Sequence, residues 1–323
     1  MRAVVVPRNG GPDVLEVRQL PRPEPSPTQL LVEVAASGVN FIDVYRREGL
    51  YPVPTPFVLG TECAGRVVAA GAAVSEFAVG DLVATESGVA THAELALVEQ
   101  ARAVPVPDSV DLQVAAAVML QGCTAHYLTH STFPIEAGHT ALVHAAAGGT
   151  GQLLVQMITA RGGRVVATVG TEAKAEIARR LGAAAVIRYD RADDLATAVR
   201  AANGGEGVDV VYDGVGRATF DASIAALRRR GMLVVFGAAS GPVPPFDVQR
   251  LNSAGSLFLT RPTVAHYVAD RDELLWRAGE VLSAVADGSL RVQIGSRYPL
   301  EQATAAYADL EARRTTGKLL IVP

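Results

Sequence analysis

From Thr140 onward the chain alternates continuous apolar runs with stretches of helical periodicity. Thr140–His144, Arg164–Val169, Ala184–Arg188, Val208–Tyr212, Met232–Phe236 and Ser256–Thr260 read as strands. Gln152–Ala160, Ala173–Leu181, Asp194–Ala202 and Phe220–Leu227 read as helices. Strands that are apolar on both faces need cover on both faces, so this half predicts a doubly wound parallel sheet of Rossmann type. The first 100 residues have another texture. Short Val-rich runs (Arg2–Val6, Leu31–Ala36, Ala64–Ala70, Asp81–Thr85) are separated by Gly and Pro punctuation such as Asn9-Gly10-Gly11-Pro12 and Pro52-Val53-Pro54-Thr55-Pro56. Short strands with frequent turns predict a barrel or sandwich-like domain. The tail offers two helical stretches, Arg271–Ala286 and Leu300–Arg313, and one strand, Lys318–Val322. That is too little for a domain, so the tail should pack back on the N-terminal part, with the parallel-sheet unit inserted between. The expected division is 1–122 with 262–323, and 123–261.

Composition narrows the function classes. At 49% hydrophobic and 19% charged, the 323-residue chain can bury a large core without staples. A formal charge of -4 with no basic block makes nucleic acid or an anionic membrane surface an unexpected partner. Leu112–Ile135 and Ala137–Ala160 carry no formal charge, yet both contain His, Gln, Thr and Gly, so they read as buried elements rather than membrane spans. Two distant cysteines, Cys63 and Cys123, are too few for a disulfide framework and fit a reducing cytoplasm.

The chemistry-bearing motif is Ala145-Ala146-Ala147-Gly148-Gly149-Thr150-Gly151, between a strand and a helix. A dinucleotide fingerprint needs glycines for a tight turn, for close approach of backbone to pyrophosphate, and for helix packing. Ala146 stands where the first Gly would be, so the motif is weak alone, and its strand-loop-helix context strengthens it. The helix start supplies free N–H groups and a positive dipole end to an anion. The following strand ends at Thr168-Val169-Gly170-Thr171-Glu172-Ala173-Lys174. No acid sits at the tip to take ribose hydroxyls, Gly170 and Thr171 leave room for a 2′-phosphate, and Lys174 can pair with it. Glu172 is the competing reading: turned toward the ribose it would favour NAD, whereas as a first-turn glutamate it only complements the helix dipole. The balance favours NADPH.

Several segments resemble the zinc-free quinone oxidoreductase (zeta-crystallin-like) branch of the medium-chain dehydrogenase/reductase superfamily. They are Gly38-Val39-Asn40-Phe41-Ile42-Asp43-Val44-Tyr45, Leu59-Gly60-Thr61-Glu62-Cys63-Ala64-Gly65-Arg66-Val67, Val79-Gly80-Asp81, His144 to Gly151, Val210-Val211-Tyr212-Asp213-Gly214-Val215-Gly216 and Leu259-Thr260-Arg261-Pro262. They run in order along essentially the whole chain. The resemblance implies a GroES-like β-barrel catalytic domain plus a Rossmann domain, with the active site in the cleft between them. Zinc-dependent relatives have Cys and His where this chain has Asn40 and Thr61, which are poor zinc ligands, and its histidines show no paired spacing with Cys. No metal is expected.

The resemblance further implies transfer of a hydride from NADPH to a quinone or another conjugated carbonyl such as an enone. Asn40, Tyr45 and Tyr51 would lie by the nicotinamide and the acceptor as hydrogen-bond donors. Phe41, Thr124, Tyr127, Gly148, Gly149, Thr150, Gly170, Thr171, Lys174, Tyr189, Phe236, Gly237 and Arg261 join Asn40 and Tyr45 as expected cofactor contacts. Two other readings stand beside this one: a 2-alkenal or enoyl reductase of the same superfamily, and a non-catalytic NADPH-binding protein of crystallin or RNA-binding type. The apolar strand Ser256–Thr260 predicts a sheet edge that should be covered or paired, and the resemblance implies that it pairs with its twin in a homodimer.

Overall fold

The apolar runs after Thr140 become one six-stranded sheet in the order Ala185–Arg188, Arg164–Val169, Thr140–Val143, Val208–Asp213, Leu227–Val235, Phe258–Thr260. Every neighbouring pair is parallel. In chain order the sheet starts at Thr140–Val143 and grows first to one side, then to the other. The switch point therefore falls between Thr140–Val143 and Val208–Asp213, where an open α/β sheet leaves a crevice at its carboxyl edge. Leu142, Val166, Val211 and Leu233 are wholly buried. Helices Gly149–Ala160, Glu172–Arg180, Leu195–Ala202 and Phe220–Ala226 connect the strands.

The computed structural model describes residues 1–323, which form two compact units: Met1–Cys123 with Val268–Pro323, and Thr124–Tyr267. Residues 262–323 were expected in the first unit, and of these 262–267 fall in the parallel-sheet unit, where Tyr267 stacks on Tyr127 with ring centroids 4.2 Å apart and accepts a hydrogen bond from Thr132 Oγ1 at 3.0 Å.

In the two-segment unit, the seven-stranded sheet runs Ile294–Pro299, Lys318–Val322, Gln29–Gly38, Glu62–Ala70, Leu82–Thr85, Val104–Pro105, with Leu95–Glu99 also paired to Gln29–Gly38. A three-stranded sheet joins Glu16–Gln19, Arg2–Val6 and Phe57–Val58. The tail packs back as its pattern requires. Leu320 pairs with Gly38 and Ile321 with Ser37, and Leu300, Tyr307, Leu319 and Ile321 share a core cluster with Val4, Val6, Val39 and Val44. Each buried aliphatic side chain there contributes about 1.5–3 kcal/mol relative to exposure.

Differences from the pattern have local causes. Helix Gly149–Ala160 begins before Gln152 because its first turn is Gly-Thr-Gly, which carries no apolar signal. The last strand of the parallel sheet begins at Phe258 because Ser256 has a φ of 55°, outside the extended region. Helix Leu112–Tyr127 is buried nearly all round, so it shows no polar face from which periodicity could be read. No helix is long and apolar enough to cross a membrane.

Candidate functional site

The loop Ala145–Gly151 is shaped by backbone. Ala145 adopts a left-handed φ of 50°, and Gly148 N–H donates to Ala145 O at 2.9 Å, which folds the chain sharply after the strand. Gly148 caps the helix with no side-chain hydrogen bond, so the first-turn N–H groups are left for another acceptor. A Cβ on Gly151 would lie 2.3 Å from Ala145 O, so only glycine fits there. The result is an anion cradle made of main-chain donors at a helix N-terminus. Nothing in it conflicts with a pyrophosphate.

A buried network braces this loop from behind. His144 bonds Thr168 Oγ1 through Nδ1 at 2.8 Å and Ser223 Oγ through Nε2 at 3.0 Å. Ser223 Oγ donates to Asp213 Oδ2 at 2.8 Å, and Asp213 Oδ1 accepts from Val215 N at 2.8 Å and Gly216 N at 2.9 Å. Three strand ends are thus tied together at the carboxyl edge. Burial, opposed by the Asp213 charge, pushes the His144 pKa down and keeps the ring neutral. His144 read in the sequence as one more isolated histidine, and only its place before the glycine loop hinted at this bracing position.

At the neighbouring strand tip, a Cβ on Gly170 would meet Tyr189 Oη at 2.4 Å, so the half-exposed Tyr189 phenol lies directly over the Gly170 backbone. Thr171 caps the next helix by accepting from Lys174 N at 3.3 Å. The competing role for Glu172 weakens, because its carboxylate oxygens are taken by Arg179 at 2.7 Å and Arg188 at 3.4 Å. The hydrogen bond from Arg179, with a smaller contribution from Arg188, holds the Glu172 pKa below the usual carboxylate value.

At the other end of the same edge, a Cβ on Gly237 would lie 2.6 Å from Gly214 O, and one on Gly214 would lie 2.8 Å from the Phe236 ring. These loops nest without room for side chains. Arg261 is exposed, and its Nη1 donates only to Pro262 O at 3.1 Å, so no carboxylate ties it down. Thr124 is partly exposed. Tyr127, expected as a cofactor contact, is 1% exposed and stacks on Tyr267.

In the two-segment unit, Asn40 caps helix Phe41–Arg47, which carries Phe41 and Tyr45. Tyr45 meets Tyr51 edge-on at 5.4 Å and Phe41 at 6.3 Å, and Tyr51 is 42% exposed. Asn40 was expected to donate to an acceptor carbonyl, and the structure corrects this. Its Nδ2 donates to Gly38 O at 3.0 Å and to Glu62 Oε1 at 2.8 Å, so both amide hydrogens are used. Thr61 is likewise committed: its Oγ1 donates to Asp43 Oδ1 at 2.6 Å and accepts from Arg46 Nη1 at 2.9 Å. Asp43 Oδ2 accepts from Tyr307 Oη at 3.0 Å, and Tyr307 Oη contacts His92 Nε2 at 2.7 Å. Burial raises the Asp43 pKa against these hydrogen bonds. Burial, aided by the Lys318 charge, pushes His92 down to about 3, so its ring is neutral. The sequence reading missed Glu62, His92, Tyr307 and Lys318, since none stands in a recognisable spacing with Asn40 or Asp43.

Comparison with known proteins agrees with both units. Residues 149–271 match the family model described as zinc-binding dehydrogenase, and residues 26–132 match the alcohol dehydrogenase GroES-like domain. The quinone oxidoreductase of Pseudomonas aeruginosa is 41% identical over 316 residues, covering 97% of each chain. A 2-haloacrylate reductase of Burkholderia sp. is 38% identical over 329 residues, covering 99% of this chain and 98% of that one. A mycobacterial protein solved in complex with NADPH superposes with a TM-score of 0.97 at 46% identity, covering 100% of both chains. The chain belongs to the quinone oxidoreductase branch of the medium-chain dehydrogenase/reductase superfamily.

Proposed function

We infer that the protein is an NADPH-dependent quinone reductase. The observation that carries this reading is the main-chain cradle at Gly148–Gly151 beside the Gly170–Lys174 turn, in a chain that matches quinone oxidoreductases along nearly its whole length. When bound, the nicotinamide supplies the hydride. The residues of the chain hold, align and polarise. The N-terminus of helix Gly149–Ala160 takes the pyrophosphate, with Gly148, Gly149 and Thr150 at its rim. Thr171, Lys174 and Tyr189 surround the 2′-phosphate and adenine. Gly237, Phe236 and Arg261 serve the nicotinamide half, with Thr124 at its rim. Tyr45 and Tyr51 line the acceptor, and the Tyr51 phenol donates to the carbonyl oxygen that gains negative charge. Asn40 acts on the acceptor only through the helix it caps. No metal is needed for this chemistry, because transfer between aligned carbons is a positioning problem.

The test is NADPH oxidation followed with a panel of quinones and enones, with NADH in parallel. Turnover of quinones with NADPH is expected, and no turnover with any conjugated acceptor would sink the reading. The 2-haloacrylate reductase relative is the reason to include conjugated acids, since preference for them would move the acceptor assignment to that neighbouring activity.

The same reading extends to assembly and location. Phe258–Thr260 ends the sheet order and Phe258 is 56% exposed, which supports a homodimer formed by pairing of this edge with its twin. Sedimentation at micromolar concentration should give twice the chain mass, and a monomer would count against it. Cys63 and Cys123 are buried free thiols, consistent with a cytoplasmic enzyme.

A further inference from the structure

Lys318 begins the last strand, yet its ammonium is buried, with the side chain 2% exposed, beside the 0% exposed Glu62. Its Nζ donates to Asn40 Oδ1 at 2.7 Å and to Glu62 Oε1. Glu62 Oε1 also accepts from Asn40 Nδ2, and Glu62 Oε2 accepts from Leu120 N at 2.7 Å. The chain reserves space for this cluster: a Cβ on Gly38 would lie 2.0 Å from Glu62 Oε1 and 2.6 Å from Lys318 Cε.

A buried pair of this kind is a poor source of stability, because desolvation offsets most of its attraction and apolar replacement is often neutral. Its effect on Asn40 is specific. An amide can sit two ways round, and its neighbours decide which. Here the ammonium demands the oxygen, while Gly38 O and Glu62 demand the nitrogen. The backbone N–H of Asn40 donates to Asp43 Oδ2 at 3.2 Å, so the fixed residue is also the one that caps helix Phe41–Arg47.

We propose that Lys318 is a positioning residue: by fixing the Asn40 amide it sets the start of helix Phe41–Arg47, and through that helix the placement of Tyr45 beside Tyr51. The catalytic consequence rests on the proposed quinone reductase reading, in which those phenols face the acceptor. The orientation of the helix does not depend on that reading.

The experiment compares Lys318→Met, Lys318→Met with Glu62→Gln, and the unmodified protein. The single variant leaves the Glu62 charge buried and uncompensated, so its melting temperature falls. The double variant removes both charges, and its melting temperature returns most of the way. In the double variant, hydrogen exchange at the amides of Phe41–Arg47 should speed up about tenfold, quinone kcat should fall about tenfold, and the KM for NADPH should stay within about twofold. A purely structural lysine predicts wild-type exchange in that helix and wild-type kcat once stability is restored, and that result overturns the proposal. Should the double variant fail to fold, the single variant is read well below its melting temperature: unchanged exchange there also overturns it, and faster exchange confined to that helix supports it. If the unmodified protein turns over no quinone, the functional reading falls, and the exchange measurement alone decides the role of Lys318.

Discussion

The parallel-sheet unit and the two-segment unit hold their candidate residues in opposite ways. In the first, the candidate binding surface is backbone. A left-handed Ala145, the cap at Gly148 and the crowded Gly151 make donors out of main-chain N–H groups, and the residues responsible are consecutive. In the second, helix Phe41–Arg47 is held by side chains from remote parts of the chain. Lys318 is 278 positions from Asn40, and Tyr307 is 264 from Asp43. A backbone cradle tolerates changes of side chain but not an added Cβ at its tightest point. A side-chain bracket tolerates little change of polarity, because each buried group satisfies another.

The sharpest way to break the contrast is Gly151→Val. Its Cβ would fall 2.3 Å from a backbone oxygen that cannot move aside, so the loop must reshape. NADPH affinity, followed by nicotinamide fluorescence, should drop by more than about 100-fold, or about 2.7 kcal/mol. The two-segment unit should keep its melting behaviour. Normal NADPH binding by this variant would mean that the cradle is not the binding surface.

The bracket should instead show itself in pH dependence. His92 is held neutral, with its pKa lowered to about 3. In the unfolded chain an ordinary histidine titrates near 6.5, so between these values the unfolded state binds a proton that the folded state does not. Stability is therefore fully present above about pH 6.5 and lost as pH falls, at about 1.4 kcal/mol per pH unit for this group. Urea midpoints measured from pH 7 to pH 5 for the protein and for His92→Gln should isolate that slope. Equal slopes would remove His92 from the account. Asp43 works the other way, since its raised pKa lets the folded state hold a proton more readily at low pH, which is why the difference between the two proteins is the useful quantity.

The same contrast governs what could be read from sequence. Strand Arg164–Val169, helix Arg271–Ala286 and strand Lys318–Val322 fall where their patterns put them, because burial on both faces or on one stripe leaves a period in the chain. The glycine loop was legible for the same reason: its contacts are local. Asn40 was singled out, but its use was misread, because whether an amide faces a ligand or its own protein depends on Glu62 and Lys318, and no spacing rule joins them. The stack of Tyr127 on Tyr267 was illegible for a related reason, as the partner lies far along the chain. Strand Ile294–Pro299 was missed because its half-buried positions hold Ile294, Ser296 and Tyr298, so alternate burial did not appear as alternate apolarity.

Two variants at the Gly170 turn sharpen the comparison at its weakest point, where the backbone site borrows side chains. Lys174→Ala should weaken NADPH binding about tenfold and leave NADH within about twofold, since a charge-assisted bond to the 2′-phosphate is available only to the former. Equal losses for both cofactors would mean that Lys174 contributes no 2′-phosphate recognition. Glu172→Gln should do almost nothing. Its partners Arg179 and Arg188 engage it at the surface, where side-chain exposure is 60% for Glu172 and 46% for Arg179, and exposed pairs contribute little after solvent screening. A change in the NADPH to NADH preference beyond about twofold in Glu172→Gln would show that this carboxylate, or the Arg188 it helps to hold, reaches the adenosine end after all. The absence of such a change would leave cofactor choice with Lys174 and with the backbone turn at Gly170 under Tyr189, so that in this region, too, the shape of the backbone decides what the side chains can do.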